Sequence, residues 1–288
     1  MMPESQPVRL VVPKGHMFEG VRDLLAEAGL RLGVDERSYR PKASDPRFRV
    51  KIVRAQNVPQ LLELGKHDIG FSGHDWVMER EARVVELLDL GLDPVRVVAA
   101  ASECETLDTL RTRRVVAASE YERLTRRWLE SEKLDYVFVQ SYGSTEVFPP
   151  EDADLIVDNC ASGTTLEANG LRVLAEILVS STRLLACPAA LDNPAIRAIV
   201  EDLQLNLEGV LLARRKVLLE MNVPKARLAA ILPHLPAMKS PTVAPLAGEE
   251  GYAVKIAVDR DKVSALIPEL KRLGVTDILE TRLSKIIP

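Results

Sequence analysis

Residues 154–170 read DLIVDNCASGTTLEANG, and this stretch decides how the rest of the chain is interpreted. It begins as a β-branched apolar run, passes through a loop of small residues, and then enters a helical pattern. Backbone N–H groups and hydroxyls in such a loop can converge on a phosphate. Asp158, at the end of the predicted strand, can accept hydrogen bonds from the two hydroxyls of a ribose. The stretch therefore predicts a phosphosugar site, although a turn followed by a helix N-cap is an alternative interpretation.

The length and composition indicate an ordinary globular protein. A chain of 288 residues with 47% hydrophobic and 28% charged residues suggests about two domains. The net charge of −4 argues against a broad nucleic-acid surface and for local phosphate binding. Three cysteines without close spacing form neither a metal motif nor a disulfide framework. With no leader pattern and no long apolar run, we expect a cytoplasmic protein that binds neither nucleic acid nor membrane.

Strands and helices alternate along most of the chain, which predicts an α/β fold. The last 75 or so residues change to a βαββαβ order, which is the ferredoxin-like pattern. We expect a strand at 8–12, a helix at 18–29, one strand at 178–186 and a helix at 224–235. The expected domains are a first lobe at 1–92 and 183–212, a second lobe at 93–182 that carries the loop, and a C-terminal domain at 213–288.

The segment from 157 to 171 resembles the phosphoribosyl-diphosphate loop of the ATP phosphoribosyltransferase family in its long form. The segments PKG at 13–15, DIGFSGHDWV at 68–77 and SPTVAPL at 240–246 are similar to further motifs of that family, so the resemblance covers nearly the whole chain. It implies a two-lobed catalytic region like periplasmic binding proteins, followed by a regulatory ferredoxin-like domain. The implied activity is a glycosyl (pentosyl) transfer from phosphoribosyl diphosphate to ATP, the first step of histidine biosynthesis.

The resemblance assigns the catalytic roles to Lys14 and Asp158, with Mg²⁺ as the cofactor and Asp158 as its tentative ligand through the bound substrate. A solvated loop lysine is the alternative for Lys14. Of the further candidates, Asp75, Ser119 and Glu146 could instead be helix caps. Asp154 is a second acidic candidate that would share a face with Asp158 only on a regular strand. The predicted substrate-binding residues are Gly15, Ser72, Asp75, Ser119, Glu146, Asp154, Ser162, Gly163, Thr164 and Thr165.

The resemblance also implies allosteric inhibition by L-histidine and a homo-oligomer, from a dimer building block to a hexamer. The family positions for histidine fall here on Asn222, Met238, Ser240 and Thr242. One departure is the pair Gln56 and Asn57, where the family has a charged pair. This change motivates an alternative function, an inactive ligand-sensing or regulatory paralogue with the same fold.

Overall fold

The computed structural model describes residues 6–33, 38–248 and 250–288. Strands form where β-branched residues are dense, and helices form where apolar residues recur every three to four positions. The first elements are β1 (Val8–Lys14), α1 (Met17–Glu27), β2 (Leu32–Gly33), β3 (Lys42–Ala43), β4 (Phe48–Arg54), α2 (Val58–Glu63), β5 (Ile69–Gly73), α3 (His74–Arg80) and β6 (Val85–Asp89). They are followed by β7 (Val95–Ser102), α4 (Leu107–Leu110), β8 (Val115–Ser119), α5 (Glu122–Ser131), β9 (Tyr136–Gln140), β10 (Leu155–Cys160), α6 (Thr164–Ala168), β11 (Leu171–Ser180) and β12 (Thr182–Ala186).

Two five-stranded sheets form two lobes within one compact unit, Met1–Ala26 with Leu30–Glu201. The first has the order β4-β1-β5-β12-β6, and β4, β1 and β5 run parallel. The second has the order β11-β7-β10-β8-β9, and β10, β8 and β9 run parallel. Because ligands bind at the carboxyl edges of parallel strands, the ends of these six strands are where a site is expected.

The chain passes from the second sheet to the first between β11 and β12. Only Ser181 separates the two strands. The expected single strand at 178–186 is therefore wrong. No glycine or proline marks the break, and both halves are rich in β-branched and aliphatic residues, so the pattern gave no signal of a change of sheet.

The C-terminal elements are α7 (Pro188–Leu191), α8 (Pro194–Arg215), β13 (Lys216–Pro224), α9 (Leu228–Ile231), β14 (Thr242–Pro245), β15 (Gly251–Asp259), α10 (Val263–Arg272) and β16 (Thr276–Arg282). The last four strands form an antiparallel sheet in the order β14-β15-β13-β16, as the ferredoxin-like pattern requires. Its core includes Val217, Leu219, Val254, Ile256 and Leu270. Most of this segment lies in a second compact unit, Glu27–Gly29 with Asp202–Pro288.

The expected helix at 224–235 is only partly correct. A single α-helical turn, α9, lies between 3₁₀ turns at Lys225–Arg227 and Leu232–His234. Pro224 belongs to the preceding strand, and Pro233, which has no N–H to donate to an earlier carbonyl, lies in the 3₁₀ turn that directly follows α9. In the described part of the chain, no helix is both long and apolar enough to cross a bilayer.

Candidate active site

The small-residue loop lies at the carboxyl edge of the second lobe. β10 ends at Cys160, and the chain reaches α6 through Gly163, whose φ of 90° a side chain would strain. The hydroxyl oxygens of Ser162 and Thr164 lie 3.0 Å apart, and both side chains are exposed. The loop therefore presents hydroxyl and amide groups to solvent, as a phosphate cradle must.

A cavity of about 360 Å³ brings this loop together with two other strand ends. Glu120 follows β8, residues 143–146 follow β9, and Asp158 lies near the end of β10. The lining also includes Ser162, Gly163 and Thr165. The structure thus brings five predicted site residues into one cavity, namely Glu146, Asp158, Ser162, Gly163 and Thr165.

Asp158 is the most perturbed group in this cavity. Its backbone neighbour Asn159 donates an N–H to Oδ1 at 2.7 Å, and the Thr145 hydroxyl also donates to the carboxylate. The pKa of Asp158 is nevertheless raised from 3.8 to about 6, chiefly by burial and in smaller part by the nearby charges of Glu146 and Glu120. Glu120 and Thr145 were missed in the sequence because each is brought to Asp158 by a different strand.

The charge of the cavity is negative. Among the described lining residues there are three carboxylates and neither a lysine nor an arginine. No group of three or more His, Cys, Asp or Glu side chains in the described ranges is arranged to hold a metal ion by itself. The cavity therefore favours hydroxyl donors and a partly hydrated cation over a bare phosphate.

The carboxyl edge of the first lobe carries cations. Lys14 ends β1 and is exposed, and its Nζ donates to the Tyr39 hydroxyl at 2.8 Å. Gly15 follows with a φ of 94°, which a tight turn requires. Arg54, which the sequence reasoning missed, ends β4 directly beside Lys14 in the parallel register. Its position as a cation at a strand end before a helix is the signal that could have identified it.

A buried hydrogen-bond network joins the two lobes at Asp75. The Asp75 side chain is 4% exposed. The hydroxyls of Tyr121 and Ser180 each donate to its carboxylate at 2.7 Å, and the Tyr121 ring stacks on Trp76 at 4.6 Å. Burial and the charge of Asp75 raise the pKa of Tyr121 well above its usual range, which keeps its proton in place for this bond. Gly73, and not Asp75, is the N-cap of α3.

A second inter-lobe link lies one helical turn further along α3. The Glu79 carboxylate accepts the backbone N–H groups of Arg123 and Leu124, at 3.1 and 3.0 Å, at the start of α5. Burial raises the pKa of Glu79, and the two N–H groups oppose that rise. The first turn of a helix in one lobe is thus held by a carboxylate of the other.

Besides Asp75, three further predicted substrate-binding side chains have internal partners. The fully buried Ser72 donates its hydroxyl to the Ala55 carbonyl at 2.9 Å, and the fully buried Ser119 donates to the Val157 carbonyl at 2.6 Å. Asp154 precedes β10, where it accepts from Arg113 and from the Val116 N–H at 2.6 Å. It does not line the cavity and lies at the opposite end of that strand from Asp158.

The four predicted histidine-binding residues do not all lie together. Met238, Ser240 and Thr242 are exposed within or just before β14. Asn222 lies in β13 and donates its amide to Asp277 at 2.9 Å, and β15 runs between β13 and β14. Two strand spacings, about 10 Å, therefore separate Asn222 from the β14 residues.

The fold and the cavity define a two-lobed α/β protein with a phosphosugar-type site at its strand ends. A family model described as ATP phosphoribosyltransferase matches residues 54–208, and the model of that family's C-terminal domain matches 213–285. An ATP phosphoribosyltransferase of Pelotomaculum thermopropionicum is 40% identical, and one of Desulforudis audaxviator is 41% identical. Each alignment covers 98% of this chain and 99% of the relative.

The chain is also similar to a solved structure. The ATP phosphoribosyl transferase (HisG:HisZ) complex from Thermotoga maritima contains a chain that is 27% identical, with a TM-score of 0.63. The alignment covers 70% of this chain and 98% of that chain. The protein belongs to the ATP phosphoribosyltransferase family, and it is therefore an enzyme of the pentosyltransferase class.

Proposed function

We propose that the chain joins ATP to phosphoribosyl diphosphate, giving N1-(5-phosphoribosyl)-ATP and diphosphate in the first step of histidine biosynthesis. The adenine N1 lone pair forms a bond to the anomeric carbon, and the carbon–oxygen bond to diphosphate breaks. Adenine N1 is already nucleophilic, so the enzyme's work is to align two polyanions and to stabilise the leaving group. The observation that carries this function is the meeting of the 162–165 loop and Asp158 in one cavity.

The second lobe binds the phosphoribosyl group. The loop hydroxyls and N–H groups of Ser162, Gly163, Thr164 and Thr165 hold the 5-phosphate. Asp158 accepts hydrogen bonds from the ribose hydroxyls, and Glu146, in the segment after β9, faces the same cavity. Burial disfavours the ionised form of Asp158. Hydrogen bonds from the ribose hydroxyls to its carboxylate would offset that cost.

Mg²⁺ fits this donor set as a partner of the substrate. The described residues offer one or two carboxylates and no complete cage, and Mg²⁺ is usually held by such carboxylates together with substrate phosphates and water. Asp158 and Glu146 are the residues that would face it. Bound Mg²⁺ would neutralise the diphosphate as it departs.

The first lobe supplies the remaining positive charge. Lys14 and Arg54, paired in register at the strand ends, bind the diphosphate or the phosphates of ATP. Gly15 allows the backbone to approach closely. Ser72, Asp75 and Ser119 act as positioning residues, because their side chains bond to other parts of the protein.

We extend the proposal to regulation and assembly. Residues 213–288 form a regulatory domain that binds L-histidine through Asn222, Met238, Ser240 and Thr242, and the chain forms a homo-oligomer of dimers up to a hexamer. Residues 1–92 and 183–212 form the first catalytic lobe and 93–182 the second. We place the protein in the cytoplasm.

The test is an assay of diphosphate release and phosphoribosyl-ATP absorbance with purified protein, ATP, phosphoribosyl diphosphate and Mg²⁺, with and without L-histidine. We expect turnover that histidine suppresses.

The double variant Ser162→Ala/Thr165→Ala should raise the KM for phosphoribosyl diphosphate at least tenfold, since two phosphate donors are lost. Asp108→Asn, on an exposed helix outside the cavity, is the matched control and should leave KM unchanged. Absence of turnover with intact substrate binding would favour a ligand-sensing protein instead.

A further inference from the structure

A second cavity lies at the amino edge of the first sheet. It has a volume of about 600 Å³, and its lining includes Arg9, Arg49 and His67. Arg9 is the second residue of β1, Arg49 is the second residue of β4, and His67 precedes β5. Because these strands are parallel, the cavity residues Arg9, Arg49 and Lys51 lie three to five residues, about 10 to 16 Å, from the edge that carries Lys14 and Arg54. It is therefore separate from the candidate active site.

This cavity concentrates unpaired positive charge in a chain whose net charge is −4. Its lining includes Arg40, Lys42, Arg49 and Lys51, and no ion pair involves any of these four within the ranges that the structure describes. Arg9 also lines it but is held by Asp68, which accepts from the Arg9 backbone N–H at 2.7 Å and from its guanidinium at 3.1 Å. Arg40, Lys42 and Arg49 are exposed, so solvent screens the repulsion among these cations, and an anion bound between them would be attracted by all four.

Two further groups add hydrogen-bond donors to the cavity. The buried Nδ1 of His67 has no hydrogen-bond partner in the described part of the chain. Burial lowers the pKa of His67, as do the charges of Lys51 and Arg9, so the ring is neutral at pH 7 and can carry its proton on Nδ1. A buried polar atom left unpaired in this way costs free energy, and a small movement of the ring that brings Nδ1 to a ligand oxygen would remove that cost.

The edge of β4 supplies the second donor. β4 is the outer strand of its sheet, and the N–H groups of Phe48 and Ile52 turn outward to the Asp45 and Tyr39 carbonyls, at 3.1 and 2.9 Å. Val50 lies midway between them and lines the cavity. Because alternate residues of a strand direct their N–H groups to the same side, the Val50 amide faces the cavity.

We propose that this cavity is a second ligand site, which binds a small polyanion carrying two or more phosphate groups. Four side-chain cations, a ring N–H and a backbone N–H match the several oxygens of a phosphate chain. The concave shape and the volume are those of a small-molecule site, whereas a nucleic acid would require a broad basic face. The site is independent of the transfer reaction.

The first experiment is equilibrium binding of inorganic tripolyphosphate to the full-length protein without divalent cations. Arg49→Gln/Lys51→Gln should weaken this binding at least tenfold, while turnover stays at the wild-type level. Arg114→Gln/Lys133→Gln removes the same charge from exposed positions of the second lobe and should change binding less than twofold. Ser162→Ala/Thr165→Ala, which alters the active-site loop, should likewise leave this binding in place.

Comparison of tripolyphosphate with ATP at equal concentration distinguishes the sources of the phosphate chain. Only the binding that Arg49→Gln/Lys51→Gln removes is compared, because ATP also binds the active site. Equal affinities of that component indicate a site that recognises phosphates alone, and a higher affinity for ATP indicates a nucleotide site. A second readout is the NMR titration of His67, whose pKa should rise when the polyanion binds. The proposal is overturned if Arg49→Gln/Lys51→Gln binds like the wild type, if the loop variant removes the binding, or if only long nucleic acids bind.

Discussion

Replacing Asp158 by Asn should stabilise the free protein while it abolishes catalysis. The carboxylate is partly buried, and its pKa of about 6 compared with 3.8 means that the fold opposes its ionisation. A difference of this size corresponds to about 3 kcal/mol at neutral pH as an upper bound. Because the site is partly exposed and can relax, we expect a gain of about 1–2 kcal/mol for Asp158→Asn. The Asn amide can still accept the N–H of Asn159.

The pH dependence has a definite sign. The folded protein holds the Asp158 proton more tightly than the unfolded chain, so ionisation on raising the pH from about 4 to about 6 lowers the stability of the wild type. Above pH 6 the penalty is complete. The advantage of Asp158→Asn should therefore be full at pH 7.5 and should shrink as the pH falls from about 6 towards 4.

The assay is urea unfolding of the ligand-free proteins at pH 7.5, 6, 5 and 4, together with activity at pH 7.5. Asp154→Asn, immediately before the same strand, is the matched control, because Asp154 is held by Arg113 and by the Val116 N–H. It should destabilise the protein by about 1–2 kcal/mol, since a charge-assisted bond is lost. An Asp158→Asn variant that is less stable than the wild type, or a gain that does not depend on pH, would refute the reasoning.

Three other substitutions test the remaining parts of the molecule. Tyr121→Phe removes a donor from the buried Asp75 carboxylate and should lower the free energy of unfolding in urea by about 2 kcal/mol. Tyr142→Phe, on a side chain that is 90% exposed, is the control and should lower it by less than about 0.5 kcal/mol. Arg54→Met should lower kcat/KM about 100-fold in steady-state kinetics, because a cation that faces phosphate groups is lost. Asn222→Ala should raise the histidine concentration for half-inhibition at least tenfold while uninhibited kcat stays unchanged, and an unchanged inhibition curve would remove Asn222 from the effector site.

The fold class was predictable because its periodic patterns are local. The strand expected at 8–12 and the helix expected at 18–29 were evident from apolar spacing, and the structure has them at Val8–Lys14 and Met17–Glu27. The order βαββαβ likewise predicted the ferredoxin-like sheet, and the two-lobed α/β class is confirmed. The change of sheet at Ser181 was not predictable, because it depends on which sheet each half of an apolar run joins.

The candidate site likewise has a part that the sequence predicted and a part that it did not. Asp158 and the loop at 162–165 are contiguous in sequence, so one motif identified them together. Glu120 and Thr145 belong to loops after two other strands and reach Asp158 only through the sheet order β10-β8-β9. The partners of Asp75 are 46 and 105 residues away along the chain, and no local pattern carries that information.

The distribution of charge between the lobes implies that neither lobe is a complete substrate site. The cavity of the second lobe holds Asp158, Glu120 and Glu146 without a lining cation, so a phosphate entering it alone would meet a negative potential. The cations at the active edge, Lys14 and Arg54, belong to the first lobe. Under the proposed function, the diphosphate would meet the cationic edge of the first lobe on one side and a Mg²⁺ ion on the acidic side. Buried hydrogen bonds from Tyr121 to Asp75 and from Leu124 to Glu79 join the two lobes that share this recognition.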